Sequence, residues 1–315
     1  MKNFFQVGKR ILLFALVNVL VLISLSIVVI LLLKFFPGLQ RGKGWLGILA
    51  ILSLVIGMGG AFISLAVSRW MAKAFMGVQV VDPDTNHPEL RELVRMVHGF
   101  AQRAGLPAMP EVGIYESPEV NAFATGPSKS RSLVAVSTGL LRQMNRAEAE
   151  GVIAHEVAHI ANGDMVTMTL VQGVINAFVF FLSHILSFIV AQALSGRRDD
   201  DERGPGFMEY MIQSIFLHLF EFIFGLLGFI VVCWFSRTRE FRADAGSALL
   251  AGKDRMISAL RALQRIHGQP LDVQNNGSLG FEALKISGKS GGFMALFSTH
   301  PPLEERIAHL ESLGR

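Results

Sequence analysis

The chain has 315 residues, 51% of them hydrophobic and 17% charged, with a formal net charge of +4. Its mean hydropathy of +0.45 lies outside the range of an ordinary soluble domain, so the composition is that of a membrane protein. The positive excess is small and flanks apolar stretches, which argues for lysine and arginine at a membrane interface and against a nucleic-acid partner.

Four apolar stretches reach the roughly 20 residues needed to cross a bilayer: Ile11 to Leu33, Leu46 to Val67, Met168 to Leu194 and Met211 to Phe235. The first is flanked by Lys2, Lys9 and Arg10. It is too long for a signal peptide and lacks a small-residue cleavage site, so it reads as a retained anchor. The chain then divides into a transmembrane hairpin (1–67), a first polar part (68–167), a second hairpin (168–235) and a second polar part (236–315). Two spans precede the first polar part and two more separate it from the second. Parity therefore puts both parts, and both termini, on one side. Lys9, Arg10, Arg69, Lys73, Arg237, Arg239 and Arg242 lie near that side, against Lys34, Arg41, Lys43, Arg197, Arg198 and Arg203 opposite. The modest excess favours a cytoplasmic domain. The single cysteine, Cys233, excludes an intramolecular disulfide and agrees with a reducing compartment.

In the first polar part, Asp82-Pro83-Asp84 predicts a turn, and Leu90, Val94, Val97 and Ala101 recur at helical spacing through Arg103. Gly105-Leu106-Pro107 ends that helix. Glu111 to Tyr115, Asn121 to Thr125 and Leu133 to Ser137 read as strands of a small antiparallel sheet, with Gly126 to Lys129 as the turn between the last two. A second helix starts near Asn145, where Glu148 completes a capping box. It carries His155-Glu156-Val157-Ala158-His159, and Asn162-Gly163 ends it. Asp164 is placed to cap the next span. Within the spans, His184, His218 and Glu221 are expected to face the bundle interior or water, and pairing across the hairpin is one role open to them. Gln274 to Gly292, rich in Gly, Ser and Asn, reads as a loop before a closing helix from about Pro302.

Histidines at i and i+4 share a helical face and can reach one Zn²⁺, with the intervening Glu156 aimed at the open position of the metal. A catalytic zinc takes three protein ligands, so a third is required. The metzincin pattern needs Gly and His where this chain has Asn162 and Met165, which excludes it. A gluzincin takes a later Glu, and Glu202, Glu209, Glu221, Glu240, Glu282, Glu304, Glu305 and Glu311 are the candidates. Glu202 and Glu209 fall on the opposite side of the membrane and Glu221 falls inside a span. Glu240 fits best, because the second hairpin leaves the surface just after His159 and returns just before it. Asp244, one turn further on, is placed to accept a hydrogen bond from a ligating histidine. The competing reading is an acidic pair bridged to Arg237, Arg239 and Arg242 on a helix surface.

His155 to His159 followed by Ala161-Asn162-Gly163-Asp164, then Ser236-Arg237-Thr238-Arg239-Glu240-Phe241-Arg242-Ala243-Asp244, then Ser298-Thr299-His300-Pro301-Pro302 with Glu305-Arg306-Ile307, resembles the HtpX-type membrane metalloproteases. These are bacterial relatives of the CAAX prenyl endopeptidases, and the likeness runs essentially end to end. It implies a zinc endopeptidase of the bacterial cytoplasmic membrane, with its active site facing the cytoplasm, that degrades damaged or misfolded membrane proteins under stress. The expected architecture is an α-helical membrane protein with four transmembrane helices and a small α+β gluzincin-type metalloprotease domain.

On this reading one Zn²⁺ per chain is held by His155, His159 and Glu240, and Glu156 moves the proton during peptide hydrolysis. Asn121-Ala122-Phe123-Ala124 is a candidate edge onto which an extended polypeptide adds as a strand. His300 and Arg306 are candidates to line the cleft. Two rivals remain: a prenyl-protein endopeptidase, whose members have more spans, and a membrane scaffold or transporter, which needs neither zinc nor Glu156.

Overall fold

The computed structural model describes residues 43–195, 207–267 and 298–313, with Ile23, Ile27, Ile30, Lys34 and Leu296. Most of the first apolar stretch, Glu202, Glu282 and the Gln274 to Gly292 segment lie outside the described residues. The chain divides into two compact units, one of residues 1–63 and 169–231, the other of residues 64–168 and 232–315. Among the described residues, three helices are long and apolar enough to cross a membrane: α1 (Lys43–Phe75), α5 (Asp164–Ser195) and α6 (Phe207–Ala251). Each outruns the stretch expected from hydropathy.

In the first unit, Leu46, Leu49, Leu54 and Met58 of α1 bury themselves against Ala177, Phe181 and Ile185 of α5. Gly57 lets the two backbones meet, since a Cβ there would lie 2.4 Å from Ala177 N. Buried Ser53 turns its hydroxyl back to Leu49 O at 2.6 Å, so that hydroxyl is not left unpaired in an apolar contact. His184 and His218 each meet a carbonyl of their own helix through Nδ1, at Phe180 O and Ser214 O, and among the described residues no pairing between them across the hairpin is seen.

The second unit holds the sheet β1 (Gln79–Val80), β2 (Glu111–Tyr115), β3 (Ala122–Ser128) and β4 (Arg131–Ser137), in the order β1-β2-β4-β3. The antiparallel sheet expected from the sequence is in fact mixed, because β2 pairs parallel to β4 while β3 pairs antiparallel to it. The cause is the run Leu133-Val134-Ala135-Val136, which has no exposed surface. A continuously apolar strand needs cover on both faces and a partner on both edges, so β4 takes the centre and displaces β3 to the rim. Gly126 and Pro127 do not make the turn. They form a bulge in β3, with Gly126 at φ +139°, and the chain reverses at Lys129-Ser130.

Helices α2 (Pro88–Arg103), α3 (Thr138–Gln143), α4 (Arg146–Asn162), α7 (Lys253–His267) and α8 (Leu303–Ser312) complete this unit. Proline at the first position opens α2, where its missing N–H costs nothing, and Leu93, Val94, Val97, Phe100 and Ala101 form its buried stripe. The capping box of Asn145 and Glu148 starts α4, and Gly163 in the left-handed conformation ends it. Ile153, Ala154 and Val157 of α4 join Val97, Phe100, Val134 and Val136 in one core. The histidine helix is therefore clamped between α2, the sheet and α7. A second cluster, Met256, Ile257 and Leu260 with Ile307 and Leu310, seats α8 on α7.

Candidate metal centre

Buried on α4, His155 and His159 bring their Nε2 atoms to 3.0 Å of each other, with the rings edge to face. Glu240 on α6 completes the group, its Oε2 and Oε1 lying 3.4 Å from the Nε2 of His155 and His159 respectively. One donor atom from each residue falls within 4.8 Å of the other two. The close approach of α6 to α4 rests on Gly246, where a Cβ would come within 2.8 Å of Ala158 Cβ, and on Ser247 Oγ, which donates to Gly151 O at 2.9 Å.

Each imidazole is oriented by a carboxylate. Asp244 Oδ1 stands 2.9 Å from His155 Nδ1, and Asp164 Oδ2 stands 2.6 Å from His159 Nδ1. A carboxylate accepts, so this pairing assigns the proton of each neutral ring to Nδ1 and leaves Nε2 with a lone pair. Both oxygens of Glu240 are buried without a well-directed hydrogen bond. Converging lone pairs repel one another unless a cation sits among them. In a tetrahedral site with bonds of about 2.0–2.2 Å, neighbouring donors lie about 3.4 Å apart. The observed 3.0–3.4 Å spacings fit that donor set. A proton competes for the same place: burial opposes charge on His159, yet Asp164 and Glu240 lift its pKa to about 9.

The C-terminal segment braces the group from the other side. Arg306 on α8 donates to Asp244 through Nε (2.8 Å to Oδ2) and Nη2 (2.6 Å to Oδ1). Burial resists ionisation of Asp244, and this fork together with His155 holds its carboxyl below the usual range. Arg306 itself is buried, so it positions Asp244 and does not line a cleft as the sequence reading expected. His300 Nδ1 lies 2.9 Å from Glu240 Oε2, with its side chain 60% exposed. Arg237 Nη1 donates to Ser298 O at 2.8 Å and ties this segment to α6. Arg239 approaches Glu240 Oε1 only to 3.9 Å, so the surface ion-pair reading of the acidic pair does not describe Glu240 or Asp244, both fully buried.

Glu156 is half-buried next to His155, and among the described residues it has no hydrogen bond or ion pair. Of the other glutamates considered, Glu304 accepts from Gln264 and Glu311 pairs with Arg261, both at the surface. Ala122 and Phe123 lie on β3, with Asn121 exposed just before it, and Phe123 packs its ring 5.7 Å from that of Tyr115. Two contributors escaped the sequence reading. Asp164 was assigned to a helix cap, although the reversal at Gly163 carries it back to His159. Lys129, in the β3–β4 turn, donates to Ala161 O and so ties the rim of the sheet to the last turn of α4.

The profile of Peptidase family M48 matches residues 88–313. The Protease HtpX homolog of Methylacidiphilum infernorum is 50% identical over 312 residues, covering 97% of this chain and 99% of that protein. The Protease HtpX homolog of Bacillus subtilis is 49% identical over 312 residues, and Protease HtpX of Tolumonas auensis 49% over 306, each covering the same shares. The crystal structure of S. mikatae Ste24p superposes with a TM-score of 0.53 at 20% identity. That match spans 90% of this chain but 62% of Ste24p, and it is a likeness of fold.

Proposed function

This chain belongs to peptidase family M48 and is a membrane-bound metalloprotease; from that premise we propose that it is a zinc endopeptidase acting on misfolded or damaged proteins of the bacterial cytoplasmic membrane. The observation that carries the proposal is the convergence of His155, His159 and Glu240 on one point, with both Glu240 oxygens buried and lacking a well-directed hydrogen bond. His155, His159 and Glu240 hold the ion, and Asp244 and Asp164 keep the two imidazoles in the ligating tautomer. Zinc, when bound, supplies Lewis-acid polarisation of the scissile carbonyl and of the attacking water.

Glu156 takes the proton from that water and passes it to the leaving amine, a task that suits a carboxylate free of internal partners. Arg306 keeps Asp244 ionised and fixed, so that His155 does not rotate. On the substrate side, β3 is the rim strand of the sheet and its outer edge has no strand beside it among the described residues. An extended segment pairing there is held by main-chain hydrogen bonds, which accept many sequences. His300, the exposed member of the group at 2.9 Å from Glu240 Oε2, is assigned the role of contacting such a segment.

The proposal includes a fourth span over Ile11 to Leu33, the division of the chain at 67, 167 and 235, and an active site facing the cytoplasm. The apolar length of that stretch, the parity of the spans and the lysine and arginine distribution support it. The stress role rests on the family resemblance. A test with purified full-length chain follows an unfolded polypeptide substrate. Cleavage is expected to stop on chelation and to return with stoichiometric Zn²⁺, and activity indifferent to chelator and zinc would overturn the reading.

A further inference from the structure

Glu221 stands on α6 ten residues after Met211 and fourteen before Phe235. At about 1.5 Å per residue it lies roughly 15 and 21 Å from the two ends of the apolar run. An acid is thus set near the middle of a hydrocarbon layer of about 30 Å, where an unpartnered ionisable group is costly and marks a functional contact. None of the four apolar stretches contains Lys or Arg, so no permanent cation within the spans answers it. Among the described residues no ion pair or hydrogen bond reaches the Glu221 side chain.

His218 is exposed and three residues earlier, on the same face of α6. Its Nδ1 meets Ser214 O at 2.9 Å, and a carbonyl only accepts, so the proton sits on Nδ1 and Nε2 presents a lone pair. The face therefore offers acceptors side by side. Around them Ile215, Leu219 and Phe222 are 61%, 46% and 70% exposed, which gives the acceptors an apolar border. The complement of such a face is an apolar helix that carries a group able only to donate.

We propose that this face of α6 docks a transmembrane segment of the substrate carrying an unpaired Lys or Arg within the bilayer. The inference rests on the proposed action on membrane proteins and names the feature by which they are chosen. A second copy of the chain is a poorer occupant. Insertion holds two copies parallel, and a two-fold axis along the bilayer normal brings equal depths together, acid against acid and imidazole against imidazole. An assembled membrane protein covers its intramembrane charges against partner helices, whereas a misfolded or orphaned one exposes them. Recognition of a bare cation in the bilayer thus selects by assembly state rather than by sequence.

The test uses full-length protein in liposomes and single-span substrates with one cleavable polar tail, differing only in Lys, Leu or Glu at mid-span. Wild type is expected to cleave the Lys substrate roughly tenfold faster than the Leu substrate, the scale of one interhelical polar contact in a membrane. Glu221→Leu should erase that preference, and Glu221→Lys should transfer it to the Glu substrate, while both variants cleave a soluble unfolded peptide at the wild-type rate. Equal cleavage of the three substrates by wild type overturns the inference without needing any variant to fold. So does a Lys preference that survives Glu221→Leu, or a dimer that Glu221→Leu dissociates with no change in preference. Loss of zinc-dependent cleavage of the soluble peptide by wild type would instead count against the proposed function, so the two failures are distinguishable.

Discussion

Glu156 and Glu240 are both glutamates of the same site, yet burial separates their tasks. Glu240 is fully buried among imidazoles and a guanidinium, which suits a ligand, whereas Glu156 is half-buried and unengaged, which suits a proton carrier. The carboxylates behind the imidazoles carry a prediction of their own. Asp164→Asn and Asp244→Asn should each weaken metal affinity about 10–100-fold, measured by competition with a chromophoric chelator, because an amide no longer holds the ring tautomer. Arg306→Met should shift affinity in the same direction as Asp244→Asn, and the double variant should be less than additive if Arg306 acts through Asp244. The grouping of the two histidines with Glu240 and Asp244 could be read from spacing and topology alone. Asp164 could not, since an Asp after a helix-ending glycine reads first as a cap, and only the left-handed turn at Gly163 sends it back to His159.

Among the elements, α4 is the one whose placement decides the site, and small residues set it. Gly151 faces α7 so closely that a Cβ would lie 2.5 Å from Arg255 O. Gly151→Val should therefore separate the two helices and destabilise the fold by about 1–3 kcal/mol, read as a lower melting temperature in detergent. A Cβ added to Gly99 on α2 would meet nothing within 4 Å, and Gly99→Ala should instead raise stability by roughly 0.5–1 kcal/mol. The limits of α4, the end of α2 and the positions of β2, β3 and β4 were legible in the sequence because apolar spacing and caps are local signals, whereas α3 and α7 were not read from it. Strand order was not. The two-residue β1 is too short to signal itself, and the central place of β4 follows from packing on both its faces, which no turn between neighbours announces.

For the molecule as a whole, the site is assembled from segments far apart in sequence: α4, the start of α5, the far part of α6 and α8. Hydropathy made the return of Glu240 to the histidines an expectation, since a hairpin that left and re-entered one surface would bring them together, and the three do converge. The contribution of Arg306 was only partly readable, because a long segment separates α8 from the rest of the site. A cation that joins α4 to α6 stabilises the folded state by mass action, so chelation should lower the melting temperature and restored zinc should raise it. Glu240→Gln should be insensitive to both treatments. The most direct test of the metal-centre account measures zinc per chain and peptide cleavage together in Glu156→Gln and Glu240→Gln. The account predicts that Glu156→Gln keeps one zinc per chain and loses cleavage by at least about 100-fold, the usual scale of general-base catalysis, while Glu240→Gln loses both. A Glu240→Gln chain that retained stoichiometric zinc and wild-type cleavage would contradict it.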